Sequence, residues 1–249
     1  MNRVITQIIM CLLFSLSIFS QDQSEKIKVT DDLEILKLSD NAYIHVSYSV
    51  LPKYGRISAN GLIYINQGKG FLFDTPWSGS ITKDLVKWIR NTLKVKLNGF
   101  VPNHWHADCM GGLEYIHSLG IKSYSSEFTR EIAKSKNLPI PKQGFKDSLI
   151  LKIGNKEIIC KYYGPAHSID NVVIWIPSEK ILFPGCMARP MVAKDLGNTA
   201  DGNVPEWGNT IKKILKDYSS AEIVIPGHGS AGGIDLLNHT IDIWNSVNK

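Results

Sequence analysis

The stretch Asn103-His104-Trp105-His106-Ala107-Asp108-Cys109-Met110-Gly111-Gly112 puts two imidazoles and a carboxylate within five positions. In an extended segment alternate side chains point the same way, so His104 and His106 project together. Asp108 follows two residues later, where the chain turns toward a helix opened by Gly111 and Gly112. Imidazole and carboxylate suit Zn²⁺ at neutral pH. Two histidines two apart could also be an ordinary polar strand end, but further donors follow. His167 stands in Gly164-Pro165-Ala166-His167-Ser168, Cys186 in Pro184-Gly185-Cys186, and His228 in Pro226-Gly227-His228-Gly229. Each comes just after a predicted strand, and layered α/β folds gather their sites at strand ends.

The elements that must position these donors are legible from hydrophobic period. Segments 27–35, 43–49, 62–66 and 70–74 are rich in β-branched and aromatic residues and are punctuated by Gly, Asn and Asp, which predicts strands. Over 80–93 the period changes: Ile81, Leu85, Trp88 and Ile89 share a helical face. A buried strand at 98–101 leads into the His-rich stretch. Helices are predicted at 111–119 and 127–135, with a short strand at 121–124 between them. The second part repeats the plan. Strands are predicted at 148–153, 156–163, 171–176 and 180–183. A helix carrying Trp207, Ile211, Ile214 and Tyr218 on one face follows, with Pro205 near its start. A strand at 222–225 and a last helix with Ile234, Leu237, Ile241 and Trp244 complete the chain. Strands then helices, twice, imply two packed sheets with helices on the outer faces, an α/β architecture.

Composition sets bounds on the function. With 43% hydrophobic and 20% charged residues the chain is of ordinary globular composition, neither disordered nor disulfide-dense. Its net charge of +5 is spread along the sequence without a basic stripe or helix, so no nucleic-acid partner is expected. Residues 1–20 read as a secretory signal peptide: Arg3, then an uncharged, mostly apolar run from Val4 to Phe19, then Ser20. The run is short for a membrane span, which needs about 20 residues. Export to the periplasm is therefore expected, with no stable membrane insertion after cleavage and a single domain over 21–249. Cys11 leaves with the signal. Cys109, Cys160 and Cys186 remain, an odd number, and a metal thiolate is one way to account for it. No heptad pattern is present, and the expected state is a monomer.

The pattern His-x-His-x-Asp-x-x-Gly-Gly, with later Gly-x-x-His, Gly-Cys and Pro-Gly-His-Gly segments, resembles the metallo-β-lactamases of subclass B1. The resemblance extends over essentially the whole chain beyond the signal, including Phe73-Asp74-Thr75-Pro76. It implies a four-layer αββα sandwich with two Zn²⁺ at one edge of the sheets. The first zinc would be held by His104, His106 and His167, the second by Asp108, Cys186 and His228. Glyoxalase-type and nuclease-type relatives place a His directly after the aspartate, where this chain has Cys109, and commonly a bridging Asp where it has Cys186. A soft thiolate among nitrogen and oxygen donors fits zinc and argues against di-iron or calcium. Many subclass members carry Arg in place of Cys109; that thiol is either a partner behind a metal ligand or a spectator.

The activity implied is hydrolysis of the β-lactam ring of penicillins, cephalosporins and carbapenems, conferring antibiotic resistance. Three neutral histidines leave the first zinc a position for water, whose pKa zinc lowers to roughly 7. Asp108 is expected to orient that nucleophile as well as to bind metal. Arg189, three residues after Cys186, stands where the family usually has a Lys that pairs with the substrate carboxylate; a guanidinium can do this bidentately. Asn198 matches the position that polarises the lactam carbonyl. The stretch 47–60, placed between two strands with a turn at Tyr54-Gly55 and apolar Val50, Leu51 and Tyr54, is expected to be a flap over the substrate. Asp74 and Trp77 read as strand-end and core packing, and His45, His117 and His239 carry no motif. Two other readings compete: a dizinc hydrolase acting on a lactone, thioester or phosphoester, and an exported zinc-binding protein without turnover. The split into two three-donor sets, each leaving a position open, disfavours the latter.

Overall fold

The computed structural model describes residues 26–247; the expected signal peptide, with Cys11, lies outside them. The first sheet has eight strands in sequential order: β1 (Lys26–Thr30), β2 (Leu33–Lys37), β3 (Ala42–Leu51), β4 (Gly55–Asn66), β5 (Lys69–Phe73), β6 (Lys96–Val101), β7 (Lys122–Ser126) and β8 (Gln143–Phe145). Pairing is antiparallel from β1 to β5 and parallel from β5 to β8. The second sheet contains β9 (Ser148–Ile153), β10 (Lys156–Tyr162), β11 (Val172–Ile176), β12 (Ile181–Gly185) and β13 (Ile223–Pro226), in the order β13-β12-β11-β10-β9. Six helices complete the fold: α1 (Gly79–Trp88), α2 (Ala107–Met110), α3 (Leu113–Ser118), α4 (Glu127–Ser135), α5 (Val204–Asp217) and α6 (Asp235–Val247).

Three apolar interfaces make this a four-layer αββα sandwich. Between the sheets, Leu62, Phe73 and Val101 of the first pack against Ile158, Ile174 and Phe183 of the second. The outer face of the first sheet packs Ile63, Leu72 and Phe100 on Leu85, Ile116 and Ala133 of α1, α3 and α4. The outer face of the second packs Val173 and Leu182 on Trp207, Ile211 and Leu237 of α5 and α6. Strands buried on both faces cannot alternate, which is why β11 and β12 are continuous apolar runs.

Four local expectations are corrected. Segment 27–35 is two strands, because the turn at Asp31-Asp32 reverses the chain. The helix of 80–93 is α only to Trp88; Ile89–Leu93 is a π turn closed by Lys94 in a left-handed conformation (φ 56°). The stretch 47–60 is no separate insert: β3 and β4 run through it in unbroken register from Ala42↔Tyr64 to Leu51↔Gly55. Gly55 takes the positive φ (69°) that ends the tight turn, and Val50 and Tyr54 at the tip are 73% and 51% exposed. Finally, the helical chain after the His-rich stretch begins at Ala107, not Gly111, and is interrupted at Gly111-Gly112. A Cβ on Gly111 would stand 2.2 Å from the Trp77 carbonyl oxygen and 2.5 Å from that of Ala107, so only glycine lets these backbones meet.

Candidate metal centre and active site

Parallel β5 and β6 end side by side, and the chain leaving each turns toward the site. Asp74, just past β5, is left-handed (φ 58°), and its carboxylate accepts from the Asn103 N–H at 2.5 Å. Asn103 in turn donates from Nδ2 to the Val172 carbonyl oxygen at 2.6 Å, tying the end of β6 to the second sheet. Directly beyond this brace, His104 and His106 lie in a bend rather than a strand, yet their rings converge as expected. His104 Nε2 is 2.9 Å from His106 Nδ1, and His167 Nε2 is 3.2 Å from the same atom. Asp108 sits in the first turn of α2, its Oδ2 3.4 Å from His228 Nε2 and 3.5 Å from Cys186 Sγ. Asp108 belongs to two donor clusters, one with His104 and His106 and one with Cys186 and His228. All six expected metal residues thus meet in one place, on loops that end β6, β10, β12 and β13.

Hydrogen bonding on the far side of the rings fixes which nitrogen faces the cluster. A carbonyl oxygen can only accept, so His228 Nδ1, 2.5 Å from the Ser58 carbonyl, carries a proton, and Nε2 is the nitrogen turned toward Asp108. His106 Nε2 lies 3.0 Å from the Asp201 carboxylate, which leaves Nδ1 bare toward His104 and His167. Cys109 lies behind His104, with Sγ 3.2 Å from Nδ1, and its thiol hydrogen-bonds the Asp74 carboxyl group. Ring nitrogens, a thiol and a carboxylate aimed into one space are the donor set that zinc takes. Asp201 gave no signal in the sequence, since it lies in an irregular loop, Thr199-Ala200-Asp201-Gly202-Asn203. Removing a carboxylate that orients a metal-binding histidine costs 10–100-fold in metal affinity or activity. Asp201→Ala is expected to weaken zinc binding within that range, measured by competition with a chromophoric chelator.

Electrostatics agree with this donor chemistry. Burial drives His104 well below its ordinary value, with His106 adding to the effect, and burial takes His167 down to about 4. Both rings are neutral at pH 7. Burial would raise the Asp108 carboxyl, but the hydrogen bond from His228 overcomes it and holds it well below the usual range. Burial pushes the Cys186 thiol well up, and the nearby carboxylates add to this. A metal is what would make it a thiolate.

The motifless histidines are structural. His117 bonds Ser123, and His239 bonds the Ala193 carbonyl. His45 is fully buried against Gly61, its Nε2 donating to the Asp74 carbonyl at 3.0 Å, and burial lowers it to about 4. Unfolded, such a ring takes up a proton near pH 6.5; folded, only near 4. It therefore costs nothing above pH 6.5, and stability is lost as pH falls from 6.5 to 4, by roughly 3 kcal/mol. Other groups titrate in the same range, so a difference between two proteins is the clean measure. In metal-free His45→Gln the loss of unfolding free energy between pH 7 and 4 is expected to be smaller than in the native chain by about that amount, read from denaturant titrations.

Above the donors is a pocket of about 320 Å³. Leu51, Tyr54 and Ile57 from the β3–β4 tip, with Trp77 and Trp105, form its apolar wall, and His106, Asp108, His167 and His228 line its floor. The hairpin thus does overhang the site. Trp77, read from sequence as packing, instead forms part of the wall, its ring centroid 6.4 Å from that of His228; Asp74 is the buried strand end expected. Asn198 lines the mouth, exposed, with Oδ1 accepting from the Ala200 N–H as in a turn. Arg189 is not part of the wall. Its Nε donates to the Asp195 carbonyl at 3.0 Å and its guanidinium packs on Gly197 (φ 72°).

No protein-family model matches the chain, but similar proteins do. It is 40% identical over 238 residues to a Bacteroides fragilis protein named metallo-β-lactamase type 2, covering 96% of this chain and 94% of that one. A Bacillus cereus protein of the same name is 34% identical over 215 residues, covering 86% and 83%. Among solved structures, a metallo-β-lactamase from Pontibacter korlensis superposes with a TM-score of 0.83 at 34% identity, over 86% of this chain and 99% of that one. Two packed sheets, six converging donors and identity over nearly the full length agree: the chain belongs to the metallo-β-lactamase family, in its subclass B1.

Proposed function

We propose that this chain opens the β-lactam ring of penicillins, cephalosporins and carbapenems with two bound zinc ions, and so confers antibiotic resistance. The observation that carries the reading is the meeting of six donor residues in three overlapping trios, two of them sharing Asp108, beneath an apolar-walled pocket. His104, His106 and His167 would hold the first ion, and Asp108, Cys186 and His228 the second. When bound, the ions supply a water nucleophile at neutral pH and positive charge for the departing nitrogen. Overall, a C–O bond forms at the lactam carbonyl, the C–N bond breaks, and the nitrogen gains a proton.

The chain's own residues bind and orient. Asp108, anionic and shared by two of the donor clusters, orients the attacking water. Asn198 at the pocket mouth donates its amide N–H to the lactam carbonyl. Arg189, held by Asp195 close behind Cys186, contributes positive charge toward the substrate carboxylate. The tip of the β3–β4 hairpin and Trp77 cover the drug and exclude water. The substrate is a small molecule, no nucleic acid takes part, and the chain works as a monomer exported to the periplasm by residues 1–20. Among the described residues no helix is long and apolar enough to cross a membrane.

The test is to follow carbapenem absorbance with the zinc-loaded chain from Gln21 onward. Rapid loss of the lactam chromophore, abolished by a chelator and by Cys186→Ser, is expected. Two bound zincs with no loss of any β-lactam would overturn the reading and turn attention to lactones, thioesters and phosphoesters.

A further inference from the structure

A second cavity, about 860 Å³, lies at the other end of β6, where Lys96 begins the strand whose far end leads to the metal donors. Six residues at 3.3 Å each put roughly 20 Å between the two ends. The end of α1, its π turn, the start of β6 and the α3–β7 turn enclose it. Six cations line it, Lys83, Lys87, Arg90, Lys94, Lys96 and Lys122, and no carboxylate does. The whole chain carries only +5, so the rest of the molecule together is close to neutral and this cleft holds the excess. Positions scattered over forty residues of sequence hid this.

Several surface cations elsewhere are paired: Lys26, Lys37, Lys161 and Lys180 each have a carboxylate within 4.0 Å. Others such as Lys146 and Lys152 stand alone among the described residues; what marks the cleft is six together with no carboxylate in the lining. Among the described residues, the six in the cleft have no ion pair, side-chain hydrogen bond or aromatic ring contact. The C-terminal ends of α1 and α3 offset them by only about half a charge each. Between the cations the floor is apolar: Val86, Val95 and Leu97, with Leu119 46% exposed at the edge. The volume is that of a site for a drug-sized molecule.

We propose that this cleft is a second, non-catalytic binding site for an amphiphilic phosphate, one molecule whose apolar body covers the floor while its phosphate groups meet the lysines. Five of the six cations are lysines, compact point charges suited to phosphate. A concave cleft favours a single molecule over a flat bilayer surface.

Calorimetric titration of the zinc-loaded chain with octyl phosphate, below its micelle concentration, tests this. Saturable binding is expected, weaker for inorganic pyrophosphate and absent for octanol, and weakened by raising NaCl from 0.05 to 0.5 M. The pair Lys87→Glu/Lys96→Glu should weaken it at least about tenfold, and the milder Lys87→Gln/Lys96→Gln about threefold. Lys146→Glu/Lys152→Glu, the same charge change outside the cleft, should leave it unaltered. Carbapenem turnover should persist in all three variants, showing that each is folded. The proposal fails if octyl phosphate does not bind, if the cleft variants bind like the native chain, if the outside pair loses as much, or if only anionic phospholipid vesicles bind.

Discussion

Asp108→Asn is expected to lower kcat for a carbapenem by about 10³-fold, roughly 4 kcal/mol of transition-state stabilisation. The substitution changes shape hardly at all, so its effect isolates charge. The carboxylate belongs to two of the three donor clusters, and its Oδ2 faces both Cys186 and His228. An amide there gives up the negative charge that holds the second ion and orients the attacking water. It also removes the partner that raises His228 above its ordinary value against the pull of burial. Zinc content by atomic emission should fall from two toward one per chain, while the far-ultraviolet circular dichroism is unchanged. Activity retained within tenfold would rule out the role assigned to Asp108.

Gly227→Ala is expected to be nearly as damaging, through sterics alone. A Cβ at this position would stand 2.2 Å from Cys186 Sγ and 2.7 Å from the Cys186 backbone nitrogen. A side-chain tip can rotate away, but the Cys186 backbone nitrogen, held at the end of β12, cannot. The loop after β13 and the end of β12 would have to separate, breaking the Asn60 N–H to Gly227 carbonyl bond that ties this loop to β4. Overpacking of this kind costs about 3 kcal/mol, which in a chain of this size lowers Tm by on the order of 10 °C. It also carries the thiol away from Asp108, so zinc affinity should fall even at temperatures where the variant is fully folded. A native Tm with normal zinc binding would show that the two loops do not pack this closely.

The six candidate donors were legible because each is a chemically distinctive residue in a loop shortly after a predicted strand, while their division between two ions came from the resemblance. Local order therefore announced where donors stand relative to strand ends. The sandwich was legible for a similar reason: periods of 2 and 3.6, and unbroken runs such as Val172–Ile176, report how many faces of an element are buried. The weaker signals were those that depend on backbone geometry. The turn at Asp31-Asp32 and the helix start at Ala107 involve no change of hydrophobic period, so the period placed the elements but not their limits.

What only the tertiary structure decided is which distant residues meet. Asp201 reaches His106 across 95 positions of sequence, Cys109 stands behind His104, and Trp77 turns from core to pocket wall. None of these can be seen along the chain, because a carboxylate in a loop looks the same whether it faces solvent or a ligand. Arg189 illustrates the converse: its position in sequence suggested a substrate contact, and the fold also ties it to Asp195 and Gly197. The sequence alone determined the candidate donors and the layers, since these follow from residue type and period, and the resemblance of its spaced motifs pointed to the family. The fold decided the proton positions on the rings, the wall of the pocket and the gathering of six lysines and arginines into one cleft, since these follow from the distances between elements.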